Sequence, residues 1–150
     1  MPEKETLERA EQDKREGKSP STQAGEFIRE EIHHIREGKH GAASAKQAVA
    51  IGLSKARRAG VDLAPPKKGS VSEKTRKSAA RDSSLGHSRK KKAVSAKRSR
   101  SSEAALKREP RSAASHKALS RQAKSAARTR RKSAARTTHS RKAQSSRKAA

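Results

Sequence analysis

Cysteine, tryptophan and tyrosine are absent from this 150-residue chain, which contains a single phenylalanine, Phe27. The absence of cysteine excludes disulfide bonds, thiolate metal ligands and thiol nucleophiles, and it permits a reducing compartment. The shortage of aromatic rings argues against a reader that stacks bases, such as an RNA-recognition motif. Residues 1–16 alternate charges without an apolar run, which predicts neither a secretory signal nor a membrane-spanning segment. We therefore expect a cytoplasmic protein.

Apolar side chains are scarce as well. Hydrophobic residues make up 29% of the chain and charged residues 37%, with a formal net charge of +25. A chain of this composition buries too little apolar surface to offset the entropy lost on ordering. A large part of it is therefore expected to be disordered.

Positive charge is concentrated in the second half of the sequence. Residues 1–64 contain 12 Lys and Arg against 11 Asp and Glu, whereas residues 65–150 contain 28 against 4. This asymmetry is typical of a basic arm that binds a polyanion. A membrane surface is the weaker candidate, because residues 65–150 lack the Trp, Phe and Leu face that inserts into lipid. We expect nucleic acid as the partner, with no membrane.

The first half predicts an amphipathic helix at about 20–37. Ser19 suits the N-cap, Pro20 suits the first helical position, and Gly38 supplies a stop. Its apolar residues recur at helical spacing, so that they share one face.

A second helix is predicted at about 45–58. Ser44 and Gln47 make a capping-box pattern before it, and Gly60 occupies the position of a left-handed C-cap. A weaker, highly charged helix is expected at about 4–16.

The short connection between the two main helices favours an antiparallel hairpin, in which Gly52 permits close approach. The predicted core of this head comprises Phe27, Ile28, Ile32, Ile35, Val49 and Leu53. So few large side chains leave the head marginally stable, and we expect it to form a homodimer or to dock on a protein partner. The predicted class is mainly α: a small helical hairpin head, residues 1–64, and a long intrinsically disordered basic tail, residues 65–150.

The tail is of low complexity, since Lys and Arg (28), Ser and Thr (22) and Ala (17) supply most of its 86 residues. Dense or regularly spaced cations are the predicted phosphate contacts: Arg89, Lys90, Lys91, Lys92, Lys97, Arg98, Arg100, Arg121, Lys124, Arg128, Arg130, Arg131, Lys132 and Arg136. On a helix, residues 121, 124, 128, 132 and 136 would make one basic stripe. Because like charges oppose that helix in the free chain, we expect 111–148 to gain helix on binding phosphates.

Other functions remain open at this point. The chain is expected to bind DNA without sequence preference and to compact it as a nucleoid-associated protein. The alternative polyanionic partner is RNA or the ribosome. A second alternative is a protein-interaction adaptor whose head is the functional module. A helix-turn-helix reading of 20–58 would place Lys46, Lys55, Arg57 and Arg58 on its second helix.

Enzymatic activity is not expected. The sequence has no glycine-rich phosphate loop and no arrangement of Ser, His and Asp that indicates nucleophilic catalysis. His33, His34 and His40 lack a closely spaced ligand set, so we expect surface histidines, no metal and no cofactor.

The blocks GKSPSTQAGEF (17–27) and KQAVAIGLSKARRAG (46–60) resemble a bacterial family of unknown function over about residues 5–66. That resemblance implies no activity and no site. In composition, the tail separately resembles the C-terminal arms of linker histones and of Lys/Ala-rich bacterial histone-like proteins. This resemblance implies nucleoid compaction, although the tail is richer in Arg and Ser and has one proline after the Pro65-Pro66 pair, Pro110.

Overall fold

A computed structural model describes residues 2–88 and 95–148, with backbone only at 133 and 136–148. The described fold is mainly helical, as predicted. Its elements are α1 (Lys4–Arg15), α2 (Pro20–Arg36), α3 (Ala45–Arg58), α4 (Glu73–His87), α5 (Ala96–Arg108), a 3₁₀ turn (Arg111–Ala114) and α6 (His116–Lys148). They form two compact units, residues 1–115 and 116–150.

Helix α2 begins and ends at the residues that predict it. Ser19 Oγ accepts a hydrogen bond from the backbone N–H of Thr22 at 3.3 Å, and Pro20 is the first helical residue. At the other end, the N–H of Gly38 donates to the carbonyl of Ile35 at 3.2 Å. These local bonds satisfy groups that a helix end leaves without partners.

Helix α3 is capped at both ends. Ser44 Oγ accepts from the N–H of Gln47 at 3.2 Å, and Gln47 Oε1 accepts from the N–H of Ala43 at 2.9 Å. Gly60 has φ +92, which allows the chain to reverse so that Val61 N–H donates to Ala56 at 3.1 Å. Val61 is thereby buried against the helix that it follows.

Helices α2 and α3 pack face to face, and α1 covers another side of α2. A Cβ at Gly52 would lie 2.7 Å from Ile28 Cα, so glycine is required for the two backbones to approach this closely. Two apolar clusters result. The first contains Ala10, Ala24, Phe27, Ala56 and Val61, with Leu7, Leu53 and Leu63 against it; the second contains Ile35, Ala42, Ala48, Ala113 and Ala114, with Ile32 against it.

The basic segment after residue 64 differs from the predicted disordered tail. Its described residues form three helices and a 3₁₀ turn, and α4 packs against α3. Buried Asp82 accepts hydrogen bonds from Ser54 Oγ at 2.6 Å and Arg58 Nε at 2.9 Å. Because α4 docks through polar bonds and small residues such as Ala79, counting large apolar side chains does not reveal it. The compact unit therefore extends to Ser115.

Helix α6 forms the second unit by itself. Among the described residues, no helix is both long enough and apolar enough to cross a membrane.

Candidate nucleic-acid interface

Helix α6 carries positive charge along its whole length. Its 33 residues include no Asp or Glu. The cations are Lys117, Arg121, Lys124, Arg128, Arg130, Arg131, Lys132, Arg136, Arg141, Lys142, Arg147 and Lys148. At 1.5 Å per residue the helix is about 50 Å long, so it forms an extended cationic rod.

Four of the predicted phosphate contacts fall on one line of α6. Arg121, Lys124, Arg128 and Lys132 are exposed and recur every three or four residues, which places them on the same helical face. They span about 16 Å of helix axis. Arg131 is exposed at the edge of the same face, Arg130 is exposed on the opposite side of the helix, and the side chain of Arg136 lies outside the described part. The stripe is thus a contiguous basic surface rather than scattered charge.

The other predicted contacts belong to the first unit or fall outside the described residues. Lys97, Arg98 and Arg100 are exposed on α5, in which no side chain of Ala96–Arg108 is buried. Arg89, Lys90, Lys91 and Lys92 lie outside the described residues. Glu103 forms an ion pair with Lys107 at 2.9 Å, and this hydrogen bond lowers the pKa of the Glu103 carboxyl. Glu103, the one acidic residue of α5, therefore pairs with Lys107 near the end of the helix and not with the exposed cations near its start.

A third basic surface was missed by the sequence reasoning. Lys74, Lys77 and Arg81 are exposed on α4 at spacings of three and four residues, while Arg76 is held by Glu73 at 2.6 Å. The side chain of Asp82 faces α3, so α4 presents these cations from a docked helix. The helical spacing of the three residues was a signal for this surface, but the segment was assigned to a disordered tail.

Three of the four cations of α3 are bonded to other groups of the protein. Lys55 Nζ lies 3.2 Å from Glu30 and 2.7 Å from Glu31, and Arg58 pairs with Asp82. Arg57 is buried, donates to the carbonyls of Leu63 and Ala64, and has its pKa lowered by burial. Of the four cations weighed for a recognition helix, Lys46 alone is exposed and has none of the bonds described above. This arrangement argues against α3 as a recognition helix.

The predicted core residues lie where α2 and α3 meet. Phe27 and Ile35 are fully buried, and the remaining four are half-buried: Ile28, Ile32, Val49 and Leu53. They position the helices and do not contribute to the basic surface.

A cluster of titratable groups lies at the end of α2. Glu31, His34 and His40 each offer a ligand atom, and these atoms all lie within 4.8 Å of one another. His34 and His40 have side chains only 13% and 15% exposed, so the expectation of surface histidines is wrong for these two. His33 is exposed, as expected. The spacing of Glu31 and His34, three residues apart on one helix, was the sequence signal for their proximity.

Comparison with known proteins gives one match. The model of a family of unknown function, DUF6496, matches residues 14–68, which comprise α2, α3 and their flanking turns. No curated protein and no solved structure matches the chain. The family description assigns no activity, and the basic helices α4, α5 and α6 lie beyond the matched residues.

Proposed function

We propose that the protein binds nucleic acid, with duplex DNA as its main partner, through exposed Lys and Arg of α4, α5 and α6 and without reading base sequence. The observation that carries this proposal is α6, a 33-residue helix with twelve cations and no acid. Because α6 contributes no acidic residue of its own, a chain of phosphates is the natural complement of its charge.

Counterion release supplies the driving force. Each phosphate that a Lys or Arg neutralises releases condensed cations, and log K falls with log salt by about 0.9 per contact on duplex DNA. The four-residue stripe of α6 therefore contributes a slope of about 3.6 when all four side chains bind. The remaining cations of α6 add to this value.

Sequence-independent binding follows from the side chains available. Contacts to phosphate fix position but carry no base information, whereas base readout needs groups held in a groove or aromatic rings for stacking. The described basic helices contain no Phe, Tyr or Trp, and three of the four cations of α3 are bonded to other groups of the protein. We therefore assign binding to backbone charge.

Two separate basic units in one chain favour compaction. The cations of α4 and α5 belong to the first unit and those of α6 to the second, so one molecule can hold two segments of DNA. Joining two weak sites raises the overall affinity through effective concentration, without a new kind of contact. Compaction of this type is the histone-like, nucleoid-associated activity that we propose.

The test is a salt series with the full chain and duplex DNA of two unrelated sequences. In the neutralised variant, Arg121, Lys124, Arg128 and Lys132 are all replaced by Gln. In the matched control the same four positions exchange Arg for Lys and Lys for Arg, which preserves every charge. We expect the neutralised variant to lose a slope of about 3.6 and the control to keep it.

The affinities for different nucleic acids test the sequence preference and the choice between DNA and RNA. Equal affinity for the two duplexes supports sequence-independent binding, whereas strong preference for one of them contradicts it. Tighter binding of single-stranded RNA than of duplex DNA, at the same salt, would replace DNA by RNA as the partner. Equal slopes for the neutralised and control variants would show that these four side chains of α6 do not contact phosphate.

A further inference from the structure

The C-terminal end of α2 contains a buried carboxylate with an incomplete set of partners. The side chain of Glu31 is 1% exposed, and neither of its oxygens has a hydrogen-bond partner in the described residues. Lys55 Nζ lies 2.7 Å from Glu31 Oε2, but the contact lacks hydrogen-bond geometry and is a charge contact. Lys55 is also shared with Glu30, whose side chain is 1% exposed. One ammonium thus faces two buried carboxylates, which is costly unless another cation is present.

The ring of His40 places a lone pair against that carboxylate. His40 Nδ1 lies 3.0 Å from the carbonyl oxygen of Gly41, which can only accept, so Nδ1 carries the proton. In the neutral ring, Nε2 is then an acceptor, and it lies 3.2 Å from Glu31 Oε1. Two acceptors at this distance repel each other unless a cation lies between them.

His34 offers a second lone pair at Nδ1, which lies 4.0 Å from Glu30 Oε1. Its Nε2 donates to Glu3 Oε1 at 2.8 Å, which leaves Nδ1 as the lone-pair nitrogen. A histidine that ligates a metal characteristically donates its other ring N–H to a carboxylate or a backbone carbonyl. Both His34 and His40 have such a partner.

We propose that Glu31, His34 and His40 bind a divalent transition-metal ion, with Zn²⁺ as the best match. Two imidazole nitrogens and one carboxylate suit zinc, whereas Ca²⁺ and Mg²⁺ prefer oxygen ligands. Bonds of about 2.1 Å at a tetrahedral ion separate neighbouring ligand atoms by about 3.4 Å, close to the 3.2 Å between His40 Nε2 and Glu31 Oε1. The other ligand atoms lie within 4.8 Å and would close slightly around the ion.

The site is accessible and its effect is structural. His40, one of the three ligands, also lines an open cleft of about 480 Å³ together with Glu37, Lys107 and Arg111. The metal would join α2 to the loop that follows it. That loop is bonded to the end of α5, since Gly41 N–H donates to Leu106 and Ala42 N–H donates to Pro110. Binding would therefore stabilise the first unit as a whole.

The experiment uses the full chain without an affinity tag, freed of metal by a chelator. Zn²⁺ is added in thermal unfolding and calorimetry, and Co²⁺ is added to record the visible absorption that reports nitrogen ligation. The variants are His40→Ala and Glu31→Gln. His33→Ala is the matched control, because His33 is exposed on the same helix and is not among the three ligands.

We expect Zn²⁺ to raise the unfolding temperature of the wild type and of His33→Ala, and Mg²⁺ to leave it unchanged. His40→Ala and Glu31→Gln should each weaken Zn²⁺ binding by at least tenfold. Circular dichroism of the metal-free variants checks that they are folded, and the Co²⁺ spectrum of the wild type tests the site even if a variant is not. Zn²⁺ affinity equal in the wild type and folded His40→Ala, or a wild-type Co²⁺ spectrum identical to that of the aqueous ion, overturns the proposal.

Discussion

Gly86 of α4 lies directly against the backbone carbonyl of Arg57 in α3, so closely that a Cβ at residue 86 would overlap that oxygen. Gly86 has no positive φ, so the helix itself does not require glycine there. The requirement comes from the packing of α4 on α3.

The substitution Gly86→Ala separates a docked α4 from a free one. In an isolated helix, alanine is more favourable than glycine by about 0.5–1 kcal/mol. In the packed structure, the added methyl meets backbone that must shift, and overpacking of this kind costs about 1–3 kcal/mol. We expect Gly86→Ala to lower the free energy of unfolding measured in urea. Gly25→Ala is the control, because a Cβ at Gly25 meets nothing within 4 Å and this substitution should stabilise α2. Stabilisation by both variants would contradict the docking of α4.

Asp82 supplies the polar half of the same contact. In Asp82→Asn, Ser54 can still donate to the amide oxygen, but Arg58 loses its charged partner and the amide N–H₂ replaces one acceptor. Because Asp82 is buried, we expect a loss of about 1–3 kcal/mol in the free energy of unfolding. Glu103→Gln removes the exposed pair with Lys107 and should leave the urea midpoint unchanged. Equal effects of the two variants would mean that Asp82 does not hold α4 in place.

Local rules were sufficient for α2 and α3, but not for the segment that follows. The caps Ser19 and Ser44 act within a few residues of themselves, so their consequences can be predicted from sequence. The docking of α4 depends on Asp82 meeting Ser54 and Arg58, which are 28 and 24 residues away. Because α4 is held by a buried polar residue among small residues, its sequence shows no apolar periodicity. The basic composition around Asp82 is also typical of a disordered arm.

The candidate sites show the same division. The α6 stripe follows from helical spacing alone: the sequence predicts residues 121, 124, 128, 132 and 136 on one face of a helix, and the structure describes the first four there. The proximity of His40 to Glu31 depends on the turn after α2, which Gly38 reverses with φ +80. Helical spacing predicts proximity only between residues of one helix, and His40 lies beyond the turn. The cluster was therefore not predicted.

The boundary of the first unit can be tested by truncation. Residues 1–64 retain α1, α2 and α3 but lose Ala113 and Ala114, which are buried in the second apolar cluster, and Asp82. Arg36 would also lose the carbonyl of Ala114, to which its Nε donates at 3.0 Å. We expect 1–115 to unfold cooperatively in urea at a higher concentration than 1–64. Coincident midpoints would show that residues 65–115 add nothing to the stability of the head.

The helix content of α6 should depend on its charge environment. Lys and Arg pairs four residues apart, such as Lys124–Arg128 and Arg128–Lys132, each destabilise an isolated helix by about 0.2–0.5 kcal/mol. Alanine favours the helix, so the balance is close enough for screening to change it. For a peptide of residues 116–150 at low salt, we expect the helix content measured by circular dichroism to rise when duplex DNA is added.

A peptide with two added acidic residues provides the control for that measurement. Ser120→Glu and Ala127→Glu place acids four residues before Lys124 and Arg131, the orientation that stabilises a helix. We expect this variant to be more helical than the wild-type peptide in the absence of DNA, and to gain less on its addition. If the two peptides respond alike, charge repulsion does not limit the helix, and the gain on binding must come from direct contacts between α6 and phosphate.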